Sequence, residues 1–482
     1  MRWLANGRDV EFVTDVNIDK ANWIEKAGTG IAKSRFLHEI HVYIDFNDID
    51  DDWLHEVCDA ISRNRSIEEF ALSMIDDRSS VMDERRHRPI DVDIFNVLAP
   101  FFEQNDKIRR IDIIGVTSKE YNSLSSMLSR NKLEHLERVV VRNMSVGDRE
   151  HIAFFDSLRE VKNLSGLGFD TNPYSSGCKE LANLLEHPSS NIRSLEVLIQ
   201  FFDDEDFTIL SNAFTKKNNL TELMMWGQGS QLTSGGWRSF SAVLSQPDCS
   251  LEKLRLNDSF STYDNTDDEA ISSLGAALAV NMTLKDLCLD RIRTITTAGW
   301  RGLLNCLRFP HSALESLSLQ FCEIDDEAAV AAIMALAENS TLKMLIMTSR
   351  PFRLSGSVVA RVLYDKTSIN STFASNHTLT VFWGPTKDED ISDDIISSCL
   401  KMNRNVNKSE VAREKILKHH FPRGGAGIQT FFSMPETALP NAIEWIGRDR
   451  HGYSLMYDLA RGLPTLFDNP RELLAGAKKR KR

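Results

Sequence analysis

A short apolar pattern that recurs along most of the chain constrains its fold more than any other feature. In each copy, two variable residues separate a first apolar residue from a second, and one variable residue separates the second from a third. The copies begin at Leu37, Ile67, Ile108, Leu136, Leu164, Ile192, Leu220, Leu251, Leu284, Leu314, Leu342 and Leu379. Five of the steps between copies are 28 residues long and none exceeds 41. A period of this kind predicts a repeat protein, in which each unit covers the apolar face of its neighbour.

Each repeat combines a strand pattern with a helix pattern. Alternation at Leu317 and Leu319 predicts a short strand with one buried face. Ile271, Leu274 and Leu278 have the spacing of one apolar stripe on a helix. Strands pack about 4.8 Å apart, whereas helices need about 8–10 Å, so the helical side must form the longer arc. We therefore predict an α/β solenoid, a horseshoe with outer helices and a concave parallel sheet of about 12 strands.

Three copies carry a recognisable motif. They read L-E-K-L-R-L from Leu251, L-K-D-L-C-L from Leu284, and L-E-S-L-S-L-Q-F-C-E-I from Leu314 to Ile324, with Cys322 at the usual Asn/Cys position. This pattern resembles the leucine-rich repeat, and the 28-residue period resembles its ribonuclease-inhibitor-like class. That class includes the Ran GTPase-activating proteins and the sensor arms of immune receptors. The resemblance implies a fold and no single function, because such solenoids serve as inhibitors, receptors, adaptors and scaffolds.

The repeat pattern divides the chain into four predicted parts. Residues 1–35 form an N-terminal cap, 36–384 the solenoid, 385–468 a helical C-terminal capping segment, and 469–482 a disordered basic tail. Residues 391–420 read as a long helix or a helix pair. The runs K-M-N-R-N (401–405) and L-P-N-A-I-E-W-I-G-R-D (439–449) resemble the ends of uncharacterised leucine-rich-repeat proteins of unicellular algae. That resemblance implies no known activity.

Two recurrent polar features have a structural explanation. Acidic runs at 203–206, 267–269, 325–327 and 388–390 fall where helices begin, so we interpret them as helix N-caps rather than cation sites. Asparagines stand three residues before several strand motifs, and we expect them to end helices in the left-handed conformation. These are Asn64, Asn105, Asn281, Asn339 and Asn376.

Composition restricts the class of partner. The net charge of −12 disfavours general nucleic-acid binding, which depends on neutralising phosphates. The sequence contains no run of 18 apolar residues, so it predicts no membrane-spanning helix. Its first residues lack the apolar core of a secretory signal. Seven cysteines without a C-x-x-C pair do not indicate a disulfide framework or a zinc site. We expect an intracellular, monomeric protein with a protein partner.

The last five residues are all cations: Lys478, Lys479, Arg480, Lys481 and Arg482. A short basic cluster of this kind is a candidate nuclear-localisation signal. The alternative is a solvated basic tail without a targeting role. The sequence leaves both interpretations open.

The candidate partner site lies on the predicted concave strands. Leu198, Ile199, Met224 and Trp226 are expected to form an exposed apolar patch on neighbouring strands. Arg142 and Arg255 flank this patch, and Phe321 faces the same side of a later strand. Aromatic and Arg side chains are favoured binding anchors. The alternative is that a loop or the C-terminal segment covers the patch.

No catalytic or cofactor motif is present. The chain lacks G-x-S-x-G, H-E-x-x-H, G-x-x-x-x-G-K-[ST] and a complete dinucleotide fingerprint. The leading hypothesis is therefore a non-enzymatic protein-interaction scaffold or adaptor without catalytic residues, metal or cofactor. A GTPase activator of the Ran-activator type is one alternative, although those proteins have an acidic tail and this chain ends in a basic one. A substrate receptor of a ubiquitin ligase is another, although such receptors usually carry an F-box before the repeats.

Overall fold

The computed structural model divides the chain into two compact units, Met1–Ala277 and Leu278–Arg482. It describes residues 9–12, 31–45, 51–75, 93–115, 118–130, 133–142, 147–169, 175–200, 202–217, 219–227, 232–259, 267–292, 294–309, 312–348, 355–384, 392–420 and 444. The predicted basic tail, the acidic run at 388–390 and nearly all of segment 421–468 lie outside these residues.

In the first unit, parallel strands alternate with helices in chain order. The strands are β1 (Asp9–Phe12), β2 (Glu39–Asp45), β3 (Glu69–Ile75), β4 (Arg110–Ile114), β5 (Arg138–Arg142), β6 (Gly166–Phe169), β7 (Ser194–Leu198), β8 (Glu222–Trp226) and β9 (Lys253–Asn257). The helices are α1 (Asp51–Ser62), α2 (Ile94–Gln104), α3 (Ser118–Arg130), α4 (Asp148–Leu158), α5 (Ser175–Glu186), α6 (Asp204–Lys216), α7 (Ser234–Leu244) and α8 (Asp267–Val280), the last of which ends in the second unit.

The second unit continues the same alternation. Its strands are β10 (Asp286–Asp290), β11 (Ser316–Gln320), β12 (Met344–Thr348) and β13 (Val381–Trp383), again parallel and in chain order. Its helices are α9 (Thr297–Leu304), followed by a 3-10 turn at Asn305–Arg308, α10 (Asp326–Ala335), α11 (Gly356–Leu363), α12 (Ile369–Phe373), α13 (Ser392–Met402) and α14 (Lys408–His420). The fold is a leucine-rich-repeat solenoid, which confirms the predicted fold class.

All twelve predicted motif copies are strands, and each strand begins two residues after the first apolar residue of its motif. For example, the copy at Ile192 gives β7, in which Leu195 and Val197 are fully buried. Strand β1 was not predicted, because Asp9–Phe12 carries no copy of the motif; it pairs in parallel with β2. Most of the predicted N-terminal cap, residues 1–35, lies outside the described residues.

Helix caps follow the acidic runs where the structure describes them. The carboxylate of Asp203 accepts a hydrogen bond from the backbone N–H of Asp206 at 2.9 Å, at the start of α6. Asp325 does the same for Ala328 at 2.7 Å at the start of α10. Each side chain satisfies one of the N–H groups that a helix leaves free at its first turn. The capping interpretation is confirmed at these two positions.

The recurrent asparagines have a different role from the one predicted. Asn105 has φ −108°, and none of the five asparagines is among the residues with positive φ. Instead all five are buried, and the amides of Asn64, Asn105, Asn339 and Asn376 donate to main-chain carbonyl oxygens earlier in the chain. The Asn376 amide donates to the carbonyl oxygens of Leu336 and Asn339, at 2.7 and 2.9 Å, and its carbonyl accepts from the backbone N–H groups of Thr378 and Leu379. One primary amide therefore satisfies donors and acceptors in two adjacent repeats.

The solenoid ends in a helix pair, as one of the two predictions for residues 391–420 stated. Asn403 follows α13, is fully buried, and donates to the carbonyl oxygen of Leu379 at 2.7 Å. Helix α14 then buries Val411, Ala412 and Ile416. Its Lys415 ammonium donates to the carbonyl oxygens of Leu363 and Asn376, at 2.7 and 2.8 Å. A cation therefore satisfies main-chain acceptors near the C-terminal ends of α11 and α12.

Candidate partner-binding face of the sheet

One face of the first unit's sheet consists of the variable residues of each motif, and we call it the sheet face. Along β7 and β8 the apolar motif residues are buried, whereas the residues between them are partly exposed. Register places Glu196 beside Met224 and Leu198 beside Trp226. Because successive side chains of a strand point to opposite sides, these four side chains share the sheet face.

The predicted apolar patch is smaller than expected. Leu198, Met224 and Trp226 are each half-buried on the sheet face. The expectation that Ile199 is exposed was wrong, because its side chain is fully buried. Ile199 lies beyond the end of β7, where its backbone N–H donates to the carbonyl oxygen of Trp226 at 2.8 Å. Ile199 continues the alternation of the buried residues Leu195 and Val197, so its side chain points to the core.

Arg142 is not an unpaired basic residue at the edge of the patch, because it and Arg138 both form ion pairs with Glu196. Arg138 and Arg142 on β5 both reach across β6 to the carboxylate of Glu196 on β7, and the Arg142 Nη2 to Glu196 Oε2 distance is 2.7 Å. Strand β6 presents Gly166 and Gly168 at this point, in register with Arg138 and Glu196 respectively. The missing side chains allow an ion pair between strands that are not neighbours.

The sequence contains one feature that indicates the convergence of Arg138, Arg142 and Glu196, although the repeat motif does not include it. Gly166 and Gly168 alternate within a strand in G-L-G-F, and glycine inside a strand often marks the close approach of another group. Arg138 and Glu196 occupy expected sheet-face positions. Their pairing across a strand depends on the register, which only the folded sheet defines.

Arg255, on β9, is exposed and lies in register with Met224. It takes part in no ion pair within the part of the chain that the structure describes. Its strand neighbour Lys253 donates to Glu222 at 2.5 Å, and this hydrogen bond lowers the pKa of Glu222 despite the opposing effect of partial burial. Arg255 is thus the accessible cation beside the apolar patch.

Phe321 belongs to the second unit, whereas the apolar patch lies in the first. It follows β11, is 61% exposed, and has φ +57°. A bulky side chain in the left-handed region is an outlier that costs about 1–3 kcal/mol. Its backbone N–H donates to the carbonyl oxygen of Thr348 at 2.6 Å, which holds the turn in place.

Metal-binding and membrane-spanning features are absent from the described residues. No group of three or more His, Cys, Asp or Glu side chains in those ranges has the geometry of a metal site. Within the same ranges, no helix combines the length and apolar character required to cross a bilayer. Cys322 is fully buried, donates to the carbonyl oxygen of Leu289 at 2.9 Å, and has its pKa raised to about 12 by burial. It is a structural thiol of the repeat.

Comparison with known proteins gives partial similarities. No protein-family model matches the chain. The chain is 29% identical over 211 residues to NACHT, LRR and PYD domains-containing protein 2 of Homo sapiens, a region that covers 44% of this chain and 19% of that protein. It is 26% identical over 247 residues to NACHT, LRR and PYD domains-containing protein 14 of Mus musculus, covering 50% and 24% respectively. The matched regions span about a fifth to a quarter of these relatives.

Among solved structures, the chain is similar to one in the crystal structure of the Rad7 and Elc1 complex in yeast. The TM-score is 0.41 at 14% identity, and the alignment covers 77% of this chain and 84% of that chain. The ribonuclease-inhibitor-like class and the algal resemblance stay predictions. What the fold and the leucine-rich-repeat relatives support together is a protein-interaction role.

Proposed function

We propose that this chain is a non-enzymatic scaffold or adaptor that binds a protein partner on the sheet face of its first unit. The observation that carries this proposal is the set Leu198, Met224 and Trp226, which lies half-exposed on adjacent strands. Large apolar side chains on a rigid sheet present binding area at little entropic cost, because their backbone is already fixed. Arg255 supplies a polar edge to this patch.

The proposal includes three further statements. The protein acts without a cofactor, it is monomeric in the absence of its partner, and it is intracellular with nuclear import through Lys478–Arg482. Support for nuclear import comes from the sequence alone, since the basic tail lies outside the described residues. Deleting residues 478–482 should move a fluorescent fusion of the full chain out of the nucleus. An unchanged distribution would contradict nuclear import by this tail.

Affinity purification tests the sheet face. The full chain is compared with Met224→Asp and Trp226→Asp variants, in which a buried or half-buried carboxylate at the contact is expected to abolish partner recovery. Val406→Asp is the matched control, because Val406 is 92% exposed in the second unit and distant in sequence from the patch. Recovery of the same partners by all variants would show that the sheet face is not the binding site.

A further inference from the structure

Above β6, side chains from neighbouring strands occupy the space that the two glycines leave. A Cβ atom built on Gly166 would lie 3.1 Å from Cγ of Arg138, and one built on Gly168 would lie 3.3 Å from Oε2 of Glu196. The side chains of Arg138 and Glu196 therefore lie directly over the glycines of β6, where Glu196 also binds Arg142. We call these three residues, Arg138, Arg142 and Glu196, the arginine cluster.

The arginine cluster has more positive charge and more donors than its own acceptors satisfy. Two guanidinium groups face one carboxylate, and each uses an Nη2 atom to bind it. The Nε atoms of both arginines are buried and make no hydrogen bond within the described residues. Glu196 is 13% exposed, whereas Arg138 and Arg142 keep 30% and 43% of their side-chain surface accessible. The accessible part of the cluster is thus cationic.

We propose that the segment bound on the sheet face is acidic and that its carboxylate docks on Arg138 and Arg142. This inference rests on the proposed function and specifies the class of partner. Carboxylates form strong, often bidentate hydrogen bonds with guanidinium groups, so an acidic ligand can bind the accessible part of Arg138 and Arg142. A basic segment would meet the arginines first, since Glu196 is largely covered. The whole chain has a net charge of −12, so this local positive site favours an acidic ligand over a basic one.

Register defines how the acidic residue relates to the apolar patch. Arg142, Leu198 and Trp226 lie in one row across the sheet, on β5, β7 and β8. The guanidinium groups, however, meet the Glu196 carboxylate above β6, which is two strand spacings, about 10 Å, from Trp226 on β8. An extended segment crossing the strands advances about 3.3 Å per residue, so about three residues span this distance. The bound segment should therefore carry Asp or Glu about three positions from a large apolar residue.

Selection from a phage-displayed library of random 12-residue peptides tests this inference with the full chain. The expected result is enrichment of peptides that combine an acidic residue and a large apolar residue about three positions apart. A synthetic copy of the best peptide is then titrated against three proteins, the unaltered chain and two variants. Arg142→Met should weaken binding about tenfold. Glu196→Gln removes the competing carboxylate and should strengthen binding several-fold.

The two variants are expected to change the peptide affinity in opposite directions, which distinguishes ligand binding from a structural role. If the cluster only stabilises the fold, both variants lower the unfolding midpoint and neither strengthens peptide binding. Enrichment of basic or uncharged peptides, binding unaffected by Arg142→Met, or failure to enrich any peptide would each overturn the inference. Preferential, Arg142-dependent binding of a single-stranded oligonucleotide would overturn it in favour of a nucleic-acid ligand.

The partner purification separates this inference from the proposed function. Loss of the partner in Trp226→Asp with retention in Arg142→Met would refute the acidic class and leave the sheet face standing. Retention in both variants would refute the sheet face itself.

Discussion

The chain places cationic side chains in two contrasting settings, one in each unit. Lys415 of α14 is fully buried, and its ammonium is bound to two main-chain carbonyl oxygens. Arg138 and Arg142 lie on the sheet face, remain partly exposed, and share a single carboxylate. The lysine thus satisfies main-chain acceptors within the repeat array, whereas the arginines keep part of their cationic surface accessible.

The largest effect is expected at Lys415. Lys415→Met leaves the carbonyl oxygens of Leu363 and Asn376 without their donor and should lower the free energy of unfolding by about 3 kcal/mol. Burial lowers the pKa of Lys415 to about 8, so the side chain is still mostly charged at pH 7. The measurement is chemical denaturation monitored by hydrogen exchange in residues 392–420.

Lys418 is the matched control on the same helix. It is exposed and donates to the Ser398 hydroxyl at 2.5 Å. Lys418→Met should change the free energy of unfolding by no more than about 0.5 kcal/mol. Equal effects of the two substitutions would contradict the capping role of Lys415.

On the sheet side, the backbone beside the apolar patch offers the next largest effect. Gly227 follows β8 with φ +141°, and a Cβ there would lie 2.8 Å from the backbone nitrogen of Gln200. Gly227→Ala should therefore lower the free energy of unfolding by about 2 kcal/mol, as measured by urea denaturation.

The matched control is a glycine within a helix. Gly302 lies in α9, is half-buried, and is not among the glycines with positive φ. Alanine loses less backbone entropy than glycine on folding, so Gly302→Ala should raise the free energy of unfolding by about 0.5–1 kcal/mol. Two changes of the same sign would contradict this account of Gly227.

Lowering the pH should destabilise the helix pair at residues 392–420 more than the sheet face. Burial, together with nearby cations, lowers the pKa of His419 to about 4, and the ring stacks on Tyr364 with centroids 4.0 Å apart. The folded-state pKa lies below the ordinary value of 6.5, so the unfolded chain binds more protons between these values. Stability is therefore lost as the pH falls from about 6.5 towards 4.

Hydrogen exchange at pH 7 and pH 5, corrected for intrinsic rates, is the measurement. Protection should fall in residues 392–420 and change less in residues 194–226. His419→Phe keeps an aromatic ring on Tyr364 and removes the titrating group, so it should reduce the difference. An unchanged pH dependence in that variant would contradict the role of His419.

The smallest effect on stability is expected within the arginine cluster. Glu196→Gln should alter the free energy of unfolding by at most about 1 kcal/mol, because partly exposed ion pairs contribute little. Thermal denaturation measures this change. A loss comparable to that of Lys415→Met would show that the cluster is a structural element like the buried lysine.

Much of the solenoid could be predicted from sequence because its signals are local. The motif at Ile192 defines β7, and the aspartates at 203 and 325 cap the helices that follow them. Both features depend on residues a few positions apart. The asparagine prediction was wrong for the opposite reason, since Asn376 acts through hydrogen bonds to Leu336 and Asn339, which belong to an earlier repeat.

The candidate site likewise combines features that local sequence predicts with contacts that it does not. Alternation within a strand predicted that Leu198, Met224 and Trp226 share a face. The expectation that Ile199 joins them was wrong, because Ile199 continues the alternation of the buried Leu195 and Val197. Arg142 was expected as an isolated flank, whereas the glycines of β6 allow it and Arg138 to reach Glu196.

By itself, the sequence determined the period, the repeated strand and helix, and the face on which variable residues lie, because side-chain periodicity and capping are properties of neighbouring residues. Tertiary structure alone decided that two arginines converge on one glutamate across a glycine strand, and that Lys415 is enclosed by main-chain carbonyls. Those arrangements arise only when residues 39–58 positions apart in the sequence are brought together by register and helix packing. Long-range proximity of that kind is not encoded in any local pattern.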